Sequence, residues 1–326
     1  MIDWQQQMSL LGRSVGAGLG ILGGTGRRFG RLAFYSLLIP LTWASAPAEE
    51  FMDIHYGPDE AQVLDLHLPP GGLGPTPFLV FFHGGAFVGG DKKPCAPRLV
   101  VRLLQQRIAV ACANYRVAPR VTYPAPMTDG ARAIQWLRAH SADFNLNSVR
   151  VAVMGMSAGA GVAQWVAFHN DLADPAASDP VLRQSTRVSA VVIVNAQATY
   201  DISVIGAEFH TRHFPNFLVS LFGASSMNDL AGPGFKSLEE DASPIAQMHA
   251  GEPPLLAYYT SDAGTPLLPD SWPETYLHHP AQGALIEKVA KANGAVAIVH
   301  SGQDYPGGLA GFLDEAADYL KEILVH

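Results

Sequence analysis

Three short stretches of this chain carry residue types suited to acyl transfer: GMSAG at 155–159, HGGAF at 83–87 and YLHHP at 276–280. GMSAG puts Ser157 between Gly155 and Gly159, directly after the apolar run VRVAVM (149–154) and before GVAQWVAF. A strand that turns sharply into a helix holds such a serine in a strained conformation, with its hydroxyl exposed beside the helix N-terminus. Glycines on either side remove the side chains that would clash there. HGGAF follows FLVFF (78–82), another strand-like run. Consecutive glycines let backbone N–H groups approach a substrate, and two or three such donors stabilise the oxyanion of acyl transfer. Gly84 and Gly85 are candidate donors from this loop, and Ala158 is a third beside the serine. A phosphate-binding reading of the glycines fails because no GK[ST] follows. His83 reads as a loop anchor.

The elements that must position these residues are visible as a rhythm. VLDLHLP (63–69) alternates apolar and polar residues as a half-buried edge strand does. FLVFF, IAVAC (108–112), VRVAVM, AVVIV (190–194) and LLAYY (255–259) are short, almost wholly apolar runs. Amphipathic stretches at 96–106, 128–140, 158–169, 281–293 and 308–324 fall between or after them. Buried strands alternating with helices predict an α/β fold, a mostly parallel sheet covered on both faces. Residues 201–250 break the rhythm, with no clear strand and with Phe209, Phe214, Phe217 and Phe222. That stretch is expected to be a lid-like insertion, its phenylalanines either an apolar substrate wall or the insertion's own core.

Bulk properties narrow the function. Of 326 residues, 48% are hydrophobic and 15% charged, which suits one large buried core. Net charge is −8 with no basic cluster beyond the N-terminus, so nucleic acid is excluded as a partner. Arg27, Arg28 and Arg31 precede the apolar run 32–44 and the small residues ASAPA (44–48). This is the layout of an export signal, with cleavage expected after Ala48, a domain over 49–326 and a periplasmic or secreted product. The alternative is an N-terminal arm. The apolar run is too short, and too interrupted by Pro40, for a stable membrane span. Cys95 and Cys112 are the two cysteines, which make no disulfide framework and no cysteine metal site; Cys112 reads as core. Oligomeric state is not legible.

Taken together, HGGAF, NYRVAP (114–119), YPAPMTDGARAIQWL (123–137) and GMSAG resemble the α/β-hydrolase esterases of the hormone-sensitive-lipase type. LDLHLP (64–69) and DASPIAQMHAGEPPLL (241–256) are similar to segments of the neighbouring feruloyl and acetyl-xylan esterases. The resemblance covers about residues 55–265. It implies an α/β-hydrolase fold, a Ser–acid–His triad, no cofactor and no metal, with small-molecule or polysaccharide-linked carboxylic esters as substrates. It also implies that Arg116 and Asp129 are structural, holding loops beneath the serine. Asp262, at the end of LLAYYTSD, stands where such esterases place the acid, with Asp270 as runner-up.

The base departs from the family pattern. A histidine is expected after the last strand, AVAIV (295–299), but Tyr305, Pro306 and Gly307 stand there. The histidines after Asp262 are His278, His279, His300 and His326. His300 lies several residues early, and His326 is terminal. His278 and His279 sit at a loop-to-helix junction ahead of Pro280, in an excursion long enough (261–280) to fold back over the serine. They read either as the base or as a helix cap, and a helix start on the far side of the sheet would put them out of reach. A zinc reading lacks a completing ligand set. Two other functions stand beside the esterase: a degenerate hydrolase that binds without turnover, and a serine peptidase.

Overall fold

Strands whose residues are buried on both sides must lie inside a covered sheet, and four of them do so along their whole length here: Phe78–Phe82, Ala109–Ala113, Ala190–Val194 and Leu255–Tyr259. The computed structural model describes residues 48–326 except 72, 73 and 94. The expected signal segment therefore lies outside the described residues, apart from Ala48. Eight strands form one sheet: β1 (Glu49–His55), β2 (Val63–Leu68), β3 (Thr76–Phe82), β4 (Ala109–Ala113), β5 (Leu146–Met156), β6 (Ala190–Val194), β7 (Leu255–Tyr259) and β8 (Ala297–Ser301). Their order is β1-β2-β4-β3-β5-β6-β7-β8. β3 to β8 are mutually parallel, while β2 runs antiparallel to both β1 and β4.

The period of two along each strand divides the core. Phe78, Val80 and Phe82 face one layer, with helices 125–139, 158–168 and 280–293. Leu79 and Phe81 face the other, with helices 97–105 and 309–325. Chain order reverses direction at β3, which lies between β4 and β5. Loops leaving the carboxyl ends of β3 and β5 must diverge there, and the crevice between them is the standard ligand position of an open α/β sheet. HGGAF leaves β3 and GMSAG leaves β5.

The 201–250 segment folds as five short helices: 202–208, 217–222, 227–230, 236–242 and 244–247. Phe209 and Phe222 are buried, and Phe214 and Phe217 pack partly buried on the same core layer. These phenylalanines anchor the insertion to the sheet. Two further features differ from expectation. β1 was not foreseen, because its residues are almost all exposed and show no alternation. Cys95 and Cys112 form a disulfide, so Cys112 is a cross-link as well as core. The bond ties the loop ahead of helix 97–105 to β4, enclosing a sequence separation of 17 residues. Among the described residues, no helix is long and apolar enough to cross a membrane.

Closing a loop of this size in the unfolded chain removes about 3 kcal/mol of disorder. Cys95→Ser is therefore expected to lower unfolding stability by roughly that amount in a denaturant titration. Thiol titration of the denatured, unreduced protein should find no free thiols; finding two would refute the cross-link.

Candidate active site

Ser157 adopts φ 51° and ψ −118°, a conformation that residues with a side chain rarely take. Close packing holds it there. The Ser157 amide donates to the Val194 carbonyl at 3.0 Å, continuing the β5–β6 ladder past the end of the strand. A Cβ at Gly155 would lie 2.0 Å from the Gly159 carbonyl oxygen, and one at Gly159 would lie 2.2 Å from that of Phe82. Glycine at both places lets the helix begin directly against the sheet. Helix 158–168 is then buried along its whole length.

The HGGAF loop runs past this serine. A Cβ at Gly84 would lie 3.1 Å from the Met156 carbonyl oxygen and 3.4 Å from Ser157 Cβ. Gly85, Ala86 and Phe87 all have positive φ, so the loop curls sharply, and the Gly85 carbonyl accepts from the Val88 and Gly89 amides. Among the described residues, the amides of Gly84, Gly85 and Ala158 donate to no protein acceptor. The Ala158 amide is the first of its helix and has no intrahelical partner by construction. These amides are free donors among the described residues, with Gly84 and Ala158 beside the serine.

His83 is an anchor. Its ring stacks on Tyr115 with centroids 4.5 Å apart, and Nδ1–H donates to the Gly84 carbonyl at 2.7 Å. Tyr115 donates its hydroxyl to the His83 carbonyl at 2.7 Å, and burial lowers the imidazole pKa. Beneath the loop, Arg116 grips buried Asp129 with Nε at 2.8 Å and Nη2 at 2.6 Å, and Gln62 donates to the same carboxylate. The Ala118 amide closes on the Phe87 carbonyl at 2.7 Å, linking NYRVAP to HGGAF.

The structure separates the adjacent histidines. His278 Nε2 lies 2.9 Å from Ser157 Oγ. His279 caps helix 280–293, its Nδ1 accepting from the Ala281 amide at 3.0 Å and its Nε2–H donating to the Thr265 carbonyl at 3.0 Å. His279 has the extended backbone expected before proline, φ −76° and ψ 145°. One ring thus serves the helix and the other faces the serine. The concern over a distant helix start also resolves. Helix 280–293 returns the chain from β7 to the parallel β8, so it runs against the strands and begins at their carboxyl edge, where Ser157 sits.

The remaining candidates lie elsewhere. His300, at the end of β8, points Nε2 toward Glu315 at 3.4 Å and lies edge-on to Tyr305. Tyr305, in the place of the expected base, donates to Glu315 and packs on Tyr258 and Phe312. Asp270 is engaged by Arg212, whose hydrogen bond lowers its pKa. Asp262 follows β7 in the loop that leaves its carboxyl end, its exposed carboxylate 2.8 Å from where a Cβ at Gly302 would stand. The structure thus brings His278 onto Ser157, with Gly84 and Ala158 beside the serine, and gives His279 to the start of helix 280–293. Gln197 and Gln282, buried beside the histidine loop, were missed, and nothing in their sequence surroundings marks them. Among the described residues, no group of three or more His, Cys, Asp or Glu side chains is placed to hold a metal ion.

Burial drives the His278 pKa down to about 4. The imidazole is therefore neutral through the ordinary working range, with Nε2 able to accept the serine proton.

Residues 64–263 match the family model BD-FAE. Esterase LipQ of Mycobacterium tuberculosis is 31% identical over 218 residues, covering 65% of this chain and 48% of that protein. The chain thus spans about half the length of this relative. Among solved structures, a truncated carbohydrate esterase from gut microbiota superposes with a TM-score of 0.68 at 18% identity, covering 87% of this chain and 99% of that one. A bacterial heroin esterase superposes at 0.60 with 20% identity, covering 88% and 87%. At such identities the superpositions establish a shared fold.

His278→Ala should lose at least about a thousandfold in kcat, whereas His279→Ala should cost about 1 kcal/mol of stability with kcat within a few-fold. Steady-state kinetics on the two proteins separate the roles, and the reverse pattern would move the base to His279. A base titrates as kcat/KM rises with pH through its pKa in the free enzyme. With that pKa at about 4 rather than the usual 6.5, the acid limb should fall well below pH 6. A half-maximum at pH 6.5 would show that the imidazole is solvated.

Proposed function

The chain belongs to the BD-FAE family, and from that premise we propose that it is a serine carboxylesterase working through an acyl-enzyme. The observation that carries this reading is the 2.9 Å contact between Ser157 Oγ and His278 Nε2 at the carboxyl edge of the sheet. Ser157 Oγ attacks the ester carbonyl carbon as its proton passes to His278 Nε2. The carbonyl oxygen becomes an oxyanion on the amides of Gly84, Gly85 and Ala158. Collapse expels the alcohol, which takes the proton from His278. Water then attacks the acyl-enzyme, His278 accepts its proton, and the freed acid leaves Ser157 restored. Asp262 enters this reading only through the resemblance of its strand-end position to that of the family's acid, and no step is routed through it.

Small-molecule esters, free or borne on a polysaccharide, are the proposed substrates. Trp272, 63% exposed and stacked on His213, offers a flat ring face six residues before His278, suited to the apolar face of a sugar. We also propose an exported location. The Cys95–Cys112 disulfide supports it, since such bonds persist in oxidising compartments.

Turnover of p-nitrophenyl acetate, p-nitrophenyl butyrate and an acetylated xylo-oligosaccharide tests the activity. Wild type should hydrolyse at least the acetate and react with a fluorophosphonate at Ser157; Ser157→Ala should do neither. Absence of both turnover and labelling in the wild type would favour a degenerate, non-catalytic fold. Turnover undiminished in Ser157→Ala would sink the mechanism.

A further inference from the structure

A histidine supplied from the loop ahead of helix 280–293 is useful only if something fixes that loop relative to the serine. The carbonyls just ahead of His278 show what does so. Gln197 Nε2 donates to the Leu277 carbonyl at 3.0 Å and to the Asn195 carbonyl at 3.3 Å. Gln282 Nε2 donates to the Tyr276 carbonyl at 3.2 Å, while its Oε1 accepts from the Ala198 amide at 2.9 Å. Both side chains thus link residues 276–277 to residues 195–198. That second segment continues β6, whose final carbonyl, Val194, receives the Ser157 amide. A third amide completes the connection. Gln164, on the helix that begins at Ser157, donates to the Gln197 carbonyl at 3.3 Å.

All three glutamines are at most 3% exposed. A buried amide without a partner costs about 1–3 kcal/mol, so each of these hydrogen bonds resists being broken. Gln282 is paired at both atoms of its amide, and such satisfied groups in a low-dielectric interior select one arrangement over near alternatives, which apolar packing alone does less sharply. The Tyr259 hydroxyl donates to the Ala196 carbonyl at 3.0 Å, holding the same segment to β7. None of these side chains belongs to a motif around the serine or the oxyanion loop.

We propose that Gln197 and Gln282 are positioning residues that hold the His278 imidazole against Ser157. This rests on the reading of His278 as the base. Gln197 sets the carbonyl immediately before the histidine, and Gln282 sets the one before that. Losing either lets the loop drift, and displacing a catalytic group by about 1 Å costs up to about a hundredfold in rate. Substrate binding does not involve these side chains, so the loss falls on kcat and not on KM.

The test compares Gln197→Met and Gln282→Glu with wild type and His278→Ala. Methionine keeps the length of glutamine without its donor. Glutamate at 282 keeps an acceptor for the Ala198 amide while its ionised form cannot donate to Tyr276. Competent sites are counted by fluorophosphonate titration, so kcat is expressed per reactive serine. Each glutamine variant should lose about ten- to a hundredfold in kcat per site, with KM within about twofold. The acid limb of kcat/KM should also move upward toward pH 6.5, as a loosened imidazole regains water. A merely structural role predicts fewer titratable sites and a lower melting temperature, with unchanged kcat per site and an unmoved acid limb. That result would overturn the proposal. If one variant fails to fold, the other decides the matter by the same readouts. Full activity in His278→Ala would instead remove the base reading, and is distinguishable because it needs no glutamine variant.

Discussion

A hydrogen bond of 2.9 Å between Ser157 Oγ and His278 Nε2 sets the demands on the rest of this structure. It joins groups 121 residues apart in the chain, on elements that share no helix or strand. One end sits on a strained backbone, a conformation costing about 1–3 kcal/mol that persists only when its surroundings over-determine it. The surroundings here are β3 and β6 on either side of β5, a wholly buried helix, and glycines where that helix meets the sheet. The other end has no such regular scaffold. It lies in a loop between two helices, 273–276 and 280–293, and side-chain hydrogen bonds do what a ladder does for the serine.

The location of the base becomes intelligible from topology. Strands β3 to β8 are parallel, so every loop that leaves one of them emerges at the same edge of the sheet. The chemistry asks only that an imidazole reach the serine from that edge. The excursion after β7 qualifies as well as one after β8 because its helix runs back against the strands. With Tyr305 packed on Tyr258 and Phe312, the turn after β8 is filled by aromatic side chains. The cost of using the longer β7 excursion is loop ordering, which grows only slowly with length.

What could be read from the sequence divides by the range of the constraint. The serine turn and the glycine loop were legible because local geometry dictates residue type: a side chain at 155 or 159 would collide with backbone. The buried strands were legible because covering both faces demands unbroken apolar runs. Arg116 and Asp129 entered by resemblance, and their bidentate pair lies beneath the loop as implied. The histidine stayed open among His278, His279 and His300, since nothing local says which ring meets a serine 121 residues away from His278. β1 escaped because an exposed edge strand needs no apolar alternation. The disulfide escaped because Cys95 and Cys112 are paired by the packing of a loop on β4, not by spacing.

Burial of His278 cuts two ways. Desolvation penalises the imidazolium, which keeps the ring neutral and ready to accept a proton, but the same penalty makes it a weaker base. Proton transfer in such a site is productive only if the positive charge does not form alone. In the proposed mechanism, attack by Ser157 creates the oxyanion as the proton arrives on Nε2, so the two charges appear together within one water-poor crevice. Their attraction is stronger there than in water, and the amides of Gly84, Gly85 and Ala158 need no reorientation to receive the negative partner. The low pKa of the resting histidine and the preformed oxyanion site are thus complementary. A buried imidazole is useful as a base because the donors that stabilise the opposite charge are already in place beside it.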